Sequence, residues 1–178
     1  MRISFTFLLI FSALSCVTSA SLAQENPQID MPTGKIDQPQ TAGAATLRYF
    51  GFRAFDAVLV TPNGAAYDRN GQAALQLRYA RSFSKAKLLD ATMIEFVRLE
   101  GEQTDHPEIR AKLTNCFADV SPQDRFLAVG IAPDLIELYR NQERTCTMRH
   151  KGIRARFLDI WLSPDSRFPS LSRKLRGQ

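Results

Sequence analysis

His106, Cys116, Cys146 and His150 are the side chains best suited to hold a metal, and their spacing does not assemble a site. Zinc centres built from local sequence pair their ligands two to five residues apart, twice over. Here Cys146 and His150 form a lone C-x-x-x-H with no second half. No metal or other cofactor is therefore expected. Thr145, Thr147 and the scattered serines lack a nucleophile elbow or a triad context. No glycine-rich loop is placed to cradle a phosphate. Tyr79 and Tyr139 fall in alternating strand patterns, which makes them edges of a core rather than acids of a reaction. The arginines Arg48, Arg53 and Arg78 remain. A guanidinium offers a planar fork that can hold an anionic head group, and each of the three could equally be a strand residue facing solvent. No catalytic residue is assigned.

The cysteines also depend on the compartment. Residues 1–23, MRISFTFLLIFSALSCVTSASLA, read as a secretory signal, with Arg2 before the apolar run Ile3 to Leu14 and small residues at Ser21 and Ala23. Cleavage is expected before Gln24, with a cut after Ala20 and acylation of Cys16 as alternatives. The address is then periplasmic or secreted, where two cysteines can pair. Cys116 and Cys146 are expected as a disulfide, the alternative being two separate buried thiols. The formal charge is +5. From Arg140 onward ten Lys or Arg stand against three Asp or Glu. This basic C-terminal third could face an anionic membrane surface or a protein partner, or could be a solvated face. Nucleic acid is not expected, because the charges lack interleaved aromatics. Twelve Phe against one Trp and four Tyr place most aromatic mass in a core.

The elements that must position these groups follow from periodicity. Residues 24–45 read as a flexible polar leader, and residues 46–178 as one domain. Thr46 to Phe50 and Phe52 to Val60 read as strands around a turn or bulge at Gly51. Leu75, Leu77 and Tyr79 alternate with polar residues as a third strand. Ser84 is an N-cap with Phe83 and Leu88 as a staple, and Leu89, Met93, Phe96 and Leu99 form the apolar stripe of the helix that follows. Gly101 ends it. Pro107 starts a second helix carrying Ile109, Leu113, Cys116 and Phe117. Ser121-Pro122-Gln123-Asp124 is a type I turn signal. Arg125 to Ile131, Leu135 to Arg140 and Arg144 to Arg149 make a meander. Ile153 to Trp161 and a segment from Pro169 are helices. Strands, helices, strands and helices in that order give an α+β fold with a mainly antiparallel sheet.

The segments GFRAFDAVLV (51–60), ALQLRYARSF (74–83), FADVSPQDRF (117–126) and DIWLSPDSRFPSLSRKL (159–175) resemble the bacterial chalcone isomerase-like proteins. The resemblance implies an antiparallel sheet with a layer of helices on one face and a cleft between them. Plant enzymes of this fold cyclise chalcones, holding a phenolate with an Arg and the developing enolate with hydroxyl donors. At the positions of those donors this chain has Ala54, Ala86 or Lys87, Thr92 or Met93, and Ile160. Arg48 matches the Arg. Non-enzymatic members bind fatty acids, with the Arg holding the carboxylate. The resemblance thus implies a hydrophobic or amphipathic carboxylate ligand, with Arg48 as its anchor and Leu89, Met93 and Phe96 lining the cleft. The alternative is an isomerase or intramolecular lyase acting on a small enone.

Overall fold

A computed structural model describes residues 29–178; the signal segment, its cleavage point and Cys16 lie outside the described residues. The chain runs β1 (Pro39–Tyr49), β2 (Phe52–Pro62), β3 (Ala73–Tyr79), α1 (Lys85–Glu100), α2 (His106–Cys116), β4 (Arg125–Ala132), β5 (Leu135–Arg140), β6 (Glu143–Arg149), α3 (Ile153–Leu162) and α4 (Pro169–Leu175). The strands form one sheet in sequence order, every neighbouring pair antiparallel. The α+β order read from the sequence is the observed one.

Local chemistry accounts for the elements. The Lys87 N–H donates to Ser84 Oγ at 3.3 Å as the α1 cap, and the Gly101 N–H returns to the Val97 carbonyl at a φ of 73°. The Ser121–Asp124 turn differs from expectation. Gln123 has a φ of 75°, which belongs to a type II turn, and its N–H is held by the Tyr79 carbonyl at 2.8 Å. Pairing with the end of β3, a contact distant in sequence, selects the turn.

Alternation in the strands gives the sheet two apolar faces. Ala57, Leu59, Leu75, Leu77, Tyr79, Phe126, Ala128, Ile136 and Leu138 meet the helices, which contribute Leu89, Met93, Phe96, Ile109, Leu113, Phe157 and Leu175. Val58, Val60, Ala74, Leu127, Val129 and Tyr139 project from the opposite face. That face is covered by residues read from sequence as a flexible leader. Ile36 is buried there, with Ile29 and Met31 packed beside it. The Asp30 N–H donates to Gln76 Oε1 at 2.8 Å, Asp30 pairs with Arg125, and Lys35 pairs with Glu137 at 3.0 Å. β1 begins at Pro39 rather than Thr46. The leader boundary is corrected because the sheet's second apolar face must be covered, and three spaced apolar residues in a polar stretch suffice to cover it. At Gly43 a Cβ would lie 2.3 Å from the carbonyl oxygens of Lys174 and Leu175, so only glycine lets the end of α4 sit on β1.

The helical layer is tied at one end by charges. Arg156 on α3 donates to both Glu100 and Asp105, with contacts of 2.6 Å and 2.7 Å. His106 shares a 2.8 Å hydrogen bond with Glu100, and His150 shares one of 2.8 Å with Asp105. Hydrogen bonds from Arg156 and then His150 hold the Asp105 carboxyl well below its ordinary value of 3.8, against a smaller opposing effect of burial. A depressed carboxylate stabilises the fold above its unfolded pKa and loses that contribution as pH falls beneath it. Arg156→Met is expected to cost about 2–3 kcal/mol at neutral pH, because it strands two carboxylates that keep partial access to water. Asp56, Asp124 and Glu137 are depressed in the same direction, so the native protein also weakens in acid. The variant should lose less stability than the native protein between neutral pH and about pH 3, below the ordinary carboxylate range. Urea midpoints of both proteins at the two pH values measure this, and parallel losses would remove Arg156 and Asp105 from the acid response.

Candidate functional site

α1 packs chiefly against α2 and α3, not down on the sheet. The space this leaves is a cavity of about 860 Å³ at the end of the sheet where β1, β3 and β5 finish. Its size falls within the roughly 300–1,000 Å³ of small-molecule sites. The sheet contributes Leu47, Tyr49, Phe52, Ala54, Phe55, Leu77, Tyr79, Phe126, Arg140 and Thr145. α1 contributes Lys87, Leu88, Ala91, Thr92, Ile94 and Glu95. Cys116, Phe117, Ala118 and Val120 close one side, and Phe157, Ile160, Trp161 and Phe168 another. The wall is predominantly aliphatic and aromatic.

Besides Arg81, Ser82, Lys87, Glu95 and Arg167, its polar lining includes four further side chains. The Thr92 hydroxyl donates to the Leu88 carbonyl at 2.8 Å, and the Thr145 hydroxyl to the Leu138 carbonyl at 3.1 Å, so both donors are committed to the backbone. The Tyr79 hydroxyl has no hydrogen-bond partner among the described residues, and burial holds its pKa above the ordinary 10.0. It therefore stays protonated at neutral pH, a free donor and not a base. Arg140 donates from Nη2 to Asp124 at 2.9 Å, while its Nε is buried with no partner among the described residues. Asp124 keeps its own charge: burial pushes its pKa up, and hydrogen bonds from Asn141, the Ser121 N–H and Arg140 more than offset this. A buried guanidinium N–H without an acceptor is costly, and a carboxylate is the acceptor it pairs with best.

Arg140 shares the helix-facing side of the sheet with Tyr79. Phe126 lies opposite both Arg140 and Leu77, and Tyr79 follows Leu77 by two residues, the strand period. Sequence reading missed Arg140, although its spacing of two and four from the apolar Leu138 and Ile136 in LIELYR marks it as a core-facing cation.

Arg48 stands elsewhere. It is exposed and is not part of the lining, whereas its neighbours Leu47 and Tyr49 are, because strand alternation turns it away. Arg53 and Arg78 both pair with Asp56 outside the cavity. The α1 lining is also a different stripe from the expected one. Leu89, Met93 and Phe96 are buried in the core shared with the other helices, while Leu88, Ala91, Thr92 and Glu95 turn toward the cavity. Cys116 and Cys146 are joined as a disulfide, with 5.1 Å between Cα atoms, tying the end of α2 to β6. His106 and His150 belong to the Arg156 network, and no cluster of three or more His, Cys, Asp or Glu suited to a metal occurs among the described residues. Within the basic C-terminal third, Arg140, Arg144, Arg156 and Arg167 are paired, with Asp124, Glu137, Glu100 and Asp105, and Glu95.

No protein-family sequence profile matches the chain, and no curated protein matches it. Among solved structures it is similar to a fatty-acid binding protein of Arabidopsis thaliana. The TM-score is 0.61 at 7% sequence identity, over 83% of this chain and 91% of that one. At that identity the likeness concerns the fold alone: the chain has the α+β, chalcone isomerase-like architecture, an antiparallel sheet with its helices layered on one face.

Proposed function

We propose that this chain is an exported, non-enzymatic domain that binds a hydrophobic or amphipathic carboxylate, such as a fatty acid, in the cavity between α1 and the sheet. The observation that carries the reading is a cavity of about 860 Å³ with a predominantly aliphatic and aromatic wall, into which the sheet brings Arg140 beside Tyr79. A long alkyl chain gains by burial against the aromatic wall, and its carboxylate would accept from Arg140 and from the Tyr79 hydroxyl. The fatty-acid binding of the Arabidopsis structure supports the same ligand class. Export rests on residues 1–23 and their signal-like pattern.

The isomerase reading is favoured by one observation, the free phenol of Tyr79 beside an apolar wall. Stabilising an enolate calls for several preorganised donors, and both threonine hydroxyls are already spent. Calorimetric titration of a saturated fatty-acid series against the protein tests the binding reading, with the matching fatty alcohols as controls. Acids are expected to bind more tightly than alcohols. Arg140→Met should weaken acid binding by about 10- to 100-fold, the worth of a charge-assisted hydrogen bond, while leaving alcohol binding nearly unchanged. Equal affinity for acid and alcohol would overturn the role of Arg140. Rapid consumption of a chalcone in a parallel absorbance assay would overturn the non-enzymatic reading.

A further inference from the structure

The β1–β2 turn carries Arg48-Tyr49-Phe50-Gly51-Phe52-Arg53. Tyr49, Phe50 and Phe52 are 59%, 84% and 62% exposed, so the aromatic residues are not all in the core as their composition suggests. Phe50 and Gly51 have φ values of 48° and 78°. A two-residue hairpin turn with both residues in the left-handed region favours Asn-Gly, and the chain uses Asn63-Gly64, at 54° and 67°, after β2. A phenylalanine in that conformation is unfavourable. Its one ring contact among the described residues is the neighbouring Tyr49, at 4.5 Å. Folding gains little from this residue. Backbone strain at an exposed aromatic points to something outside the chain.

Charge identifies the partner. Arg48, Arg81 and Lys87 make no ion pair among the described residues, and the Arg81 guanidinium sits 4.9 Å over the Phe52 ring. Exposed rings surrounded by free cations suit the head-group region of an anionic bilayer. Three rings bury roughly 450–750 Å² when fully covered, less than the about 800 Å² per partner of a stable protein pair. We propose that this turn docks the protein on an anionic lipid surface. The mouth of the cavity, to which Tyr49, Phe52, Arg81 and Lys87 contribute, then opens toward the bilayer. The proposal extends the fatty-acid reading, yet its test does not depend on it.

The experiment is co-sedimentation with vesicles of equal parts phosphatidylglycerol and phosphatidylcholine, and with vesicles of phosphatidylcholine alone, at low and high salt. The native protein should pellet with the anionic vesicles and be released by salt. Phe50→Asn, which suits the turn, should weaken vesicle binding at least 10-fold. Arg48→Glu should weaken it by about 5- to 25-fold. Neither residue lines the cavity, so both variants should keep the native melting temperature or exceed it, and keep the native affinity for decanoate in solution. Vesicle binding without decanoate binding would defeat the fatty-acid reading and leave the docking surface standing. Equal pelleting of native and variant proteins would overturn the docking surface. So would equal binding to neutral vesicles, or self-association in the ultracentrifuge that Phe50→Asn abolishes.

Discussion

Phe157→Ala is expected to cost about 3–5 kcal/mol, a large part of the 5–15 kcal/mol that holds a typical domain together. Phe157 is fully buried on α3. Its ring lies 6.5 Å from Phe117 at the end of α2 and 5.5 Å from Trp161, and Phe117 in turn meets Phe126 of β4 edge to face at 5.4 Å. The ring thus links α3, the α2 terminus and the sheet at one point. Removing it takes away its own transfer free energy and leaves a void that the surrounding side chains fill only in part. Phe157→Leu keeps most of the volume and should cost less than half as much. Urea denaturation of both variants measures the difference. A loss below about 1.5 kcal/mol for Phe157→Ala, at the level of an ordinary surface-proximal change, would mean that this ring does not organise the helical layer.

Removing the Cys116–Cys146 bond is expected to cost about 3–4 kcal/mol, the chain-entropy worth of closing a loop of 30 residues. α2 depends on the bond more than its neighbours do. It has 11 residues, short for a helix that must persist without support, and its N-cap residue, Asp105, makes no side-chain cap hydrogen bond. The Asp105 carboxylate at the cap position is instead bound to Arg156 and His150. The bond also fixes Cys116, Phe117 and Ala118 in the cavity wall, so its loss should lower ligand affinity along with stability. Cys116→Ala/Cys146→Ala compared with the native protein, under oxidising conditions and with reductant, supplies the measurement. The native protein should lose stability on reduction and the double variant should not respond. Two reactive thiols in the denatured, unreduced native protein, or an equal response of both proteins to reductant, would refute the contribution.

The sequence determined the elements of this protein because their signals are local. Alternation through Leu75, Leu77 and Tyr79, the cap at Ser84, the stop at Gly101 and the start at Pro107 each depend on residues within one or two turns of the chain, and each element lies where those residues put it. Element order then gave the α+β class. Tertiary structure decided which faces meet. The strap at Ile29, Met31 and Ile36 was invisible in a polar stretch, because what orders it is a sheet face formed far along the chain. Arg48 and Arg140 look alike as strand arginines. Alternation next to Leu47 and Tyr49 turns the first to solvent, and alternation with Ile136 and Leu138 turns the second to the cavity. On α1 the stripe of Leu89, Met93 and Phe96 went into the helix-to-helix core, and the adjoining stripe of Leu88, Ala91, Thr92 and Glu95 went to the cavity, because the surrounding helices enclose the first and the sheet stands away from the second.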